Sequence, residues 1–343
     1  MKKATVIGAG SWGTALATVL AENFDTVSLW TRNEEDAREI QASKENKRYL
    51  PGVKLNDKIQ VFTMIKNALR DASLVVLSVP SHAIRETVKS VAAFLPREAV
   101  LVNTAKGLEI NTLLPLSKVM EEELPEYYRK KIAILSGPSH AEEVGQKIPT
   151  AVVSAAYDKS VAEYVQDAFM TSNFRVYTNP DVIGVELGGA LKNIIALATG
   201  ISDGLGFGDN SKAALITRGL TEIIRLGKKL GAESLTFAGL TGIGDLIVTC
   251  TSMHSRNRRA GIAIGKGKPL HKVLDEMGMV VEGVKTTKAA YKLSKKMGVE
   301  MPITTQVYRI LYEGENPAVG VKNLMQRNRK HEVEEVVINK FDW

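Results

Sequence analysis

Residues in the first half of the chain fall into short apolar-rich runs: ATVI at 4–7, TVSLWTR at 26–32, SLVVLSVP at 73–80, AVLVNTA at 99–105, KIAILSG at 131–137 and TAVVSAA at 150–156. Glycine, proline or polar residues end most of them, and stretches with helical apolar spacing separate several. Runs this continuous are strands buried on both faces, as in a parallel sheet flanked by helices. The pattern predicts a doubly wound α/β unit over residues 1–180. From about Gly184 the periodicity becomes helical: in GVELGGALKNIIALATG, 184–200, Leu187, Leu191, Ile194, Ile195 and Ala198 form one apolar stripe, with Lys192 off it. An all-α unit over 181–343 is expected.

The first run admits two readings. Lys2 and Lys3 precede an apolar stretch containing Ala15-Leu16-Ala17, the charge and hydropathy profile of a secretory signal with its cleavage site. Gly8, Gly10 and Gly13 decide against it, because they stand in G-x-G-x-x-G register between a strand and a helix. Gly8 permits the tight turn, Gly10 lets backbone approach a pyrophosphate, and Gly13 allows close helix–strand packing. The anion then rests on free N–H groups at the helix N-terminus. At the end of the next strand an acid would read the ribose 2′-hydroxyl and an arginine would accommodate a 2′-phosphate. This chain has Arg32-Asn33 there, with no acid until Glu34. Arg32 favours NADP(H), while Glu34 and Glu35 leave NAD(H) open.

Ligands of doubly wound sheets bind beyond the carboxyl ends of the strands. Those ends carry Pro80-Ser81-His82, Lys106-Gly107 and Gly137-Pro138-Ser139-His140, converging on one edge, although plain turn chemistry also explains each singly. Gly188 and Gly189 lie one turn before Lys192, each costing about 1 kcal/mol against alanine inside a helix. Their missing side chains leave room beside the lysine for a ligand or for a second backbone. Further on, GLTGIGDLIVTCTSMHSRNRRAG at 239–261 holds Asp245, Thr249 and Ser255-Arg256-Asn257. Asp245 either caps the following segment or orients a lysine. Arg and Asn at a loop–helix junction suit a phosphate and a hydroxyl.

The chain has 343 residues, 44% hydrophobic and 24% charged, which fits about two globular domains. No apolar run reaches the roughly 18 residues of a membrane span without interruption. A lone cysteine, Cys250, rules out an intrachain disulfide, suits a reducing cytoplasm and is expected to be a buried, inert thiol. The net charge of +7 raises nucleic acid as a partner. The densest basic patch, Arg256-Asn257-Arg258-Arg259, has no interleaved aromatics for base stacking, so it reads as a phosphate site. Histidines 82, 140, 254, 271 and 331 lack metal-ligand spacing. The tail QRNRKHEVEEVVINKFDW at 326–343 is charged enough to predict a surface helix with fraying ends.

Six motifs together carry a family resemblance: GAGSWG at 8–13, NTAKGLE at 103–109, LSGPSHAEEV at 135–144, VELGGALKNIIALATGISDGL at 185–205, GLTGIGDLIVTC at 239–250 and SRNRRAG at 255–261. The chain resembles the bacterial-type NAD(P)-dependent glycerol-3-phosphate dehydrogenases along essentially its whole length. The resemblance implies a Rossmann-like domain followed by a helical domain. It also implies reduction of dihydroxyacetone phosphate to sn-glycerol 3-phosphate for glycerophospholipid synthesis, in a cytoplasmic homodimer. Cofactor contacts would fall on Ser11, Trp12, Arg32, Asn33, Lys106, Ala141, Arg256, Val280 and Glu282, beside the three glycines. Substrate contacts would fall on Lys106, Gly137, Ser139, Asp245, Ser255, Arg256 and Asn257. Lys192 matches the general acid/base, with Asn193 and Thr249 in support. Two other readings share much of this pattern: a 6-phosphogluconate-type dehydrogenase and a non-catalytic NADP-sensing protein.

Overall fold

A computed structural model describes residues 2–329, 331 and 332, so most of the predicted tail helix lies outside the described residues. Strands β1 (Lys3–Ile7), β2 (Thr26–Trp30), β3 (Glu45–Asn46), β4 (Leu50–Lys54), β5 (Ile59–Phe62), β6 (Leu74–Leu77), β7 (Val100–Asn103), β8 (Ile132–Ser136), β9 (Thr150–Ala156) and β10 (Phe174–Asn179) follow in chain order. Eight of them form one sheet in the order β10-β9-β8-β7-β6-β1-β2-β5, and β3 pairs with β4 as a separate hairpin. The span β5-β2-β1-β6-β7-β8 has the 3-2-1-4-5-6 order of the doubly wound dinucleotide-binding fold. Its topological switch point lies between β1 and β6.

The continuous apolar runs do what their pattern predicts. Alternate residues point to opposite faces of a strand, so Leu74 and Val76 of β6 enter one core cluster while Val75 and Leu77 enter the other. Two departures from the sequence expectation stand out. β9 pairs antiparallel to β8, so the sheet is not parallel throughout. β5 and β10 at the two edges, and the β3–β4 hairpin, are not among the expected strands; β5 buries only Ile59 fully, and β10 reads Phe174 and Val176 inward with Arg175 and Tyr177 outward.

In the second half, the helix Val182–Gly204 is the axis on which the helices Asp209–Lys229, Asp245–Thr251, Arg256–Gly265 and Glu282–Met297 pack. The expected single apolar stripe is not what the structure shows. All sides of this helix are buried, Lys192 included, because helices and the sheet edge surround it. It is also long and apolar enough by length and composition to cross a membrane, contrary to the sequence expectation, yet 94% of its most apolar window is buried in the protein. Ile134, Val153 and Ala155 from the sheet meet Val182 and Val185 from this helix in a small joint cluster. That seam sets the cleft beyond the carboxyl ends of the strands against the helical half.

Candidate active site

Lys192 sits near the middle of the long helix, 6% exposed, and its Nζ donates to Asp245 Oδ1 at 2.5 Å and to Thr249 Oγ1 at 2.6 Å. Asp245 opens the helix Asp245–Thr251, directly after a π-helical turn, Leu240–Gly244. Gly188 and Gly189 account for this approach. A Cβ on Gly188 would lie 2.4 Å from the Thr241 carbonyl oxygen, and one on Gly189 would lie 2.6 Å from Ser136 Oγ with Lys106 beyond. One glycine therefore admits the backbone of the turn and the other admits Ser136 and the second lysine.

Lys106, just past β7, donates to the other Asp245 oxygen, Oδ2, at 2.8 Å and to the Gly137 carbonyl at 2.9 Å. Ser139 donates to the same carbonyl at 2.9 Å. Asp245 is thus not acting as a plain helix cap; its carboxylate, 1% exposed, lies between two ammonium groups, one from each half. Burial raises the Asp245 pKa, but Lys106 and Lys192 outweigh it and hold the carboxyl below the usual range. Burial pushes Lys192 down to about 8, with Asp245 opposing and Lys106 adding to the fall.

On the far side, Ser255 caps the helix Arg256–Gly265 by accepting from the Arg258 N–H, and Arg256 donates to the Val280 carbonyl at 3.0 Å. Asn257 donates to Asn193 Oδ1 and accepts from the Gly283 N–H, both at 2.8 Å. Asn193 and Asn257 therefore tie three helices together. The basic run 256–259 does not act as one phosphate patch, since consecutive helical residues point in different directions. Arg258 is bound to Asp203 at 2.7 Å, and Arg259 is exposed. Glu282, expected at the cofactor, accepts from the Ser81 N–H at 3.0 Å and Ser81 Oγ at 2.5 Å, bridging the two halves.

The family models decide the identity. Residues 3–162 match the NAD-dependent glycerol-3-phosphate dehydrogenase N-terminus and residues 181–322 match its C-terminus. The chain belongs to this family. A glycerol-3-phosphate dehydrogenase of Bacillus subtilis is 56% identical over 342 residues, spanning 100% of this chain and 99% of its own. That of Pelotomaculum thermopropionicum is 59% identical, spanning 98% and 96%. The crystal structure of glycerol-3-phosphate dehydrogenase from Coxiella burnetii superposes with a TM-score of 0.91 at 39% identity, over 95% of this chain and 99% of that one. The dehydrogenase is therefore an NAD(P)-dependent oxidoreductase acting on a CH–OH group, with a Rossmann-like sheet half and a helical half.

The glycine turn of the dehydrogenase fits a dinucleotide on its own geometry. Gly8 has φ +113, and a Cβ there would lie 2.4 Å from the Ser78 carbonyl oxygen. A Cβ on Gly13 would come within 1.9 Å of the Gly8 carbonyl, whereas Gly10 has nothing within 4 Å. Gly10 provides no side-chain cap to the helix Ser11–Asn23, so the first N–H groups of that helix face an open approach. Ser11 donates to the Tyr49 carbonyl, and Trp12 packs on the core with Nε1 buried and without a partner among the described residues. Arg32 is exposed at the end of β2; Asn33 caps the helix Glu34–Ser43 through Oδ1. Ala141 begins the short helix Ala141–Gly145 beyond β8. Ser81 and His140 were visible in the sequence only as strand-end punctuation. Ser81 gains a contact that no local pattern encodes, since Glu282 is 201 residues away.

Proposed function

We propose that the cleft at Lys192 reduces dihydroxyacetone phosphate to sn-glycerol 3-phosphate, with Lys192 as the general acid. The arrangement that carries this reading is the buried Asp245 carboxylate between Lys192 and Lys106, beside strand ends of dinucleotide-binding type. Bound NADPH or NADH supplies the hydride. As negative charge grows on the C2 oxygen of the ketone, the Lys192 ammonium stabilises it and delivers the proton. A pKa of about 8 keeps Lys192 mostly protonated at neutral pH, yet makes it a far better donor than a free lysine. Asp245 and Thr249 hold the ammonium in one orientation, and Lys106 adds a second positive charge to the cleft. Ser139 and the Gly137 segment lie on the Lys106 side of this group. Arg256, with Ser255 and Asn257, anchors the phosphate, so that binding at the remote end aligns C2.

The same reading places Arg32 at the adenosine ribose and divides the chain near residue 180. It takes the enzyme as a cytoplasmic homodimer, a state that light scattering would verify. A spectrophotometric assay of NADPH and NADH oxidation with dihydroxyacetone phosphate tests reaction and cofactor together. Lys192→Ala should lower turnover by about 10²- to 10⁴-fold, with cofactor affinity little changed. Near-normal turnover in that variant would remove Lys192 from its role.

A further inference from the structure

His140 lies between Ser139 and Ala141, two residues of the proposed site, at the start of the helix Ala141–Gly145, and makes no side-chain cap bond there. Its Nε2 is buried and has no hydrogen-bond partner among the described residues. The ring stands 5.6 Å from that of His254, centroid to centroid and tilted by 49°. His254 directly precedes Ser255, Arg256 and Asn257, so the ring pair joins the strand-end side of the cleft to its proposed phosphate side. The charged groups acting on His140 are Lys192, Glu142, Glu143 and Lys106, from both halves of the molecule. Burial first, and then Lys192, hold the imidazole below its usual range against Glu142 and Glu143, so the ring is neutral at neutral pH. A neutral imidazole offers one N–H and one lone pair.

Buried polar atoms in native proteins are nearly always partnered, and an exception calls for a cause. Among the described residues there are two on one strand end, because Ser136 Oγ is also buried without a partner there, next to Gly189 and Lys106. Both atoms are covered in this structure, so a ligand oxygen that partners either one must displace the groups now lying over it.

We infer that His140 Nε2 is a substrate-binding atom, donating its N–H to an oxygen of the bound ketose phosphate. This rests on the reading of the Lys192 cleft above, and it adds a contact from the strand-end loop. His140 then serves substrate affinity more than the chemical step. Its Nε2, without a partner among the described residues, gains one when the ketose phosphate binds.

The test compares His140→Leu with His140→Gln, whose side-chain Nε2 reaches nearly as far as that of histidine. His140→Leu should raise the KM for dihydroxyacetone phosphate by about three- to tenfold, the effect of one neutral hydrogen bond, and leave the KM for NADPH unchanged. His140→Gln should restore most of the affinity. The melting temperature of the ligand-free leucine variant should equal or exceed that of the parent, while its rise on adding sn-glycerol 3-phosphate should shrink. An unchanged KM for the ketone, an equal rise for NADPH, no rescue by glutamine, or a lower melting temperature with an intact response to ligand each overturns the inference. An active Lys192→Ala variant would instead sink the reading of the cleft. Normal affinity in His140→Leu beside an inactive Lys192→Ala would sink the role of His140 alone.

Discussion

Asp245 takes one ammonium on each carboxylate oxygen, and the behaviour of Lys192 follows from that sharing. A carboxylate serving one lysine would keep it strongly basic; divided between two, it leaves burial as the larger influence on Lys192. On the proposed mechanism reduction draws on the protonated amine, so its kcat should fall as pH rises through about 8, while oxidation of sn-glycerol 3-phosphate gains over the same range. A reduction profile flat from pH 7 to 9 would contradict this. Asp245→Asn leaves the buried Lys192 ammonium and the part-buried Lys106 ammonium uncompensated, a loss on the order of 3–5 kcal/mol, and the expected result is a large drop in melting temperature along with activity. The sequence left Asp245 open between capping a helix and orienting a lysine, with Gly188 and Gly189 one turn before Lys192, and the structure decides for the lysine. The structural duties of Asn257 and Glu282 were not legible there, since each bonds a group on a different element.

Among the elements, those buried on both faces were the easiest to read. β1, β6, β7 and β8 announce themselves as unbroken apolar runs, whereas the edge strands β5 and β10 cover a core with one face only and look like loops with a few apolar residues. The antiparallel turn into β9 left no mark in composition, because β9 is as apolar as its parallel neighbours. The tightest helix contact is between Val182–Gly204 and Arg256–Gly265, where Gly200 and Gly204 face Gly261 and Gly265. A Cβ at Gly200 would lie 2.2 Å from the Arg258 carbonyl oxygen, so the helices must separate to admit it. Gly200→Ala should destabilise the protein by about 1–3 kcal/mol and, by moving Arg256 relative to Lys192, raise the KM for the ketone phosphate. Calorimetry and steady-state kinetics on this variant test both effects; an unaltered melting temperature would show that the contact yields without strain.

For the molecule as a whole, two buried carboxylates outside the Lys192–Asp245–Lys106 group couple stability to pH. Glu186 receives the N–H and hydroxyl of Ser117, and Glu222 receives the N–H groups of Ile303 and Thr304 at the start of the helix Pro302–Tyr312. Burial lifts both from 4.5 to about 7 despite these bonds. A raised acid holds its proton in the native state after the unfolded chain has released it, so stability should decline as pH rises from about 4.5 to 7. Lys192 has the opposite sign: between about 8 and 10.5 the unfolded chain binds the proton that the native state lacks, and its contribution grows with pH. Melting curves of Glu222→Gln across pH 5 to 7 should show a shallower slope than the parent, and an identical slope would refute the assignment.

The helix Val182–Gly204, bilayer-length by its 23 residues, has Lys192 close to its midpoint. Were this segment to meet a membrane before folding, that ammonium would come to rest near the bilayer centre, at a cost of about 2.5–3.5 kcal/mol for insertion. The amine proposed for proton transfer would thus also oppose partitioning of this segment into lipid. Lys192→Leu should therefore lower turnover as Lys192→Ala does and, by removing that charge, make the segment still more apolar.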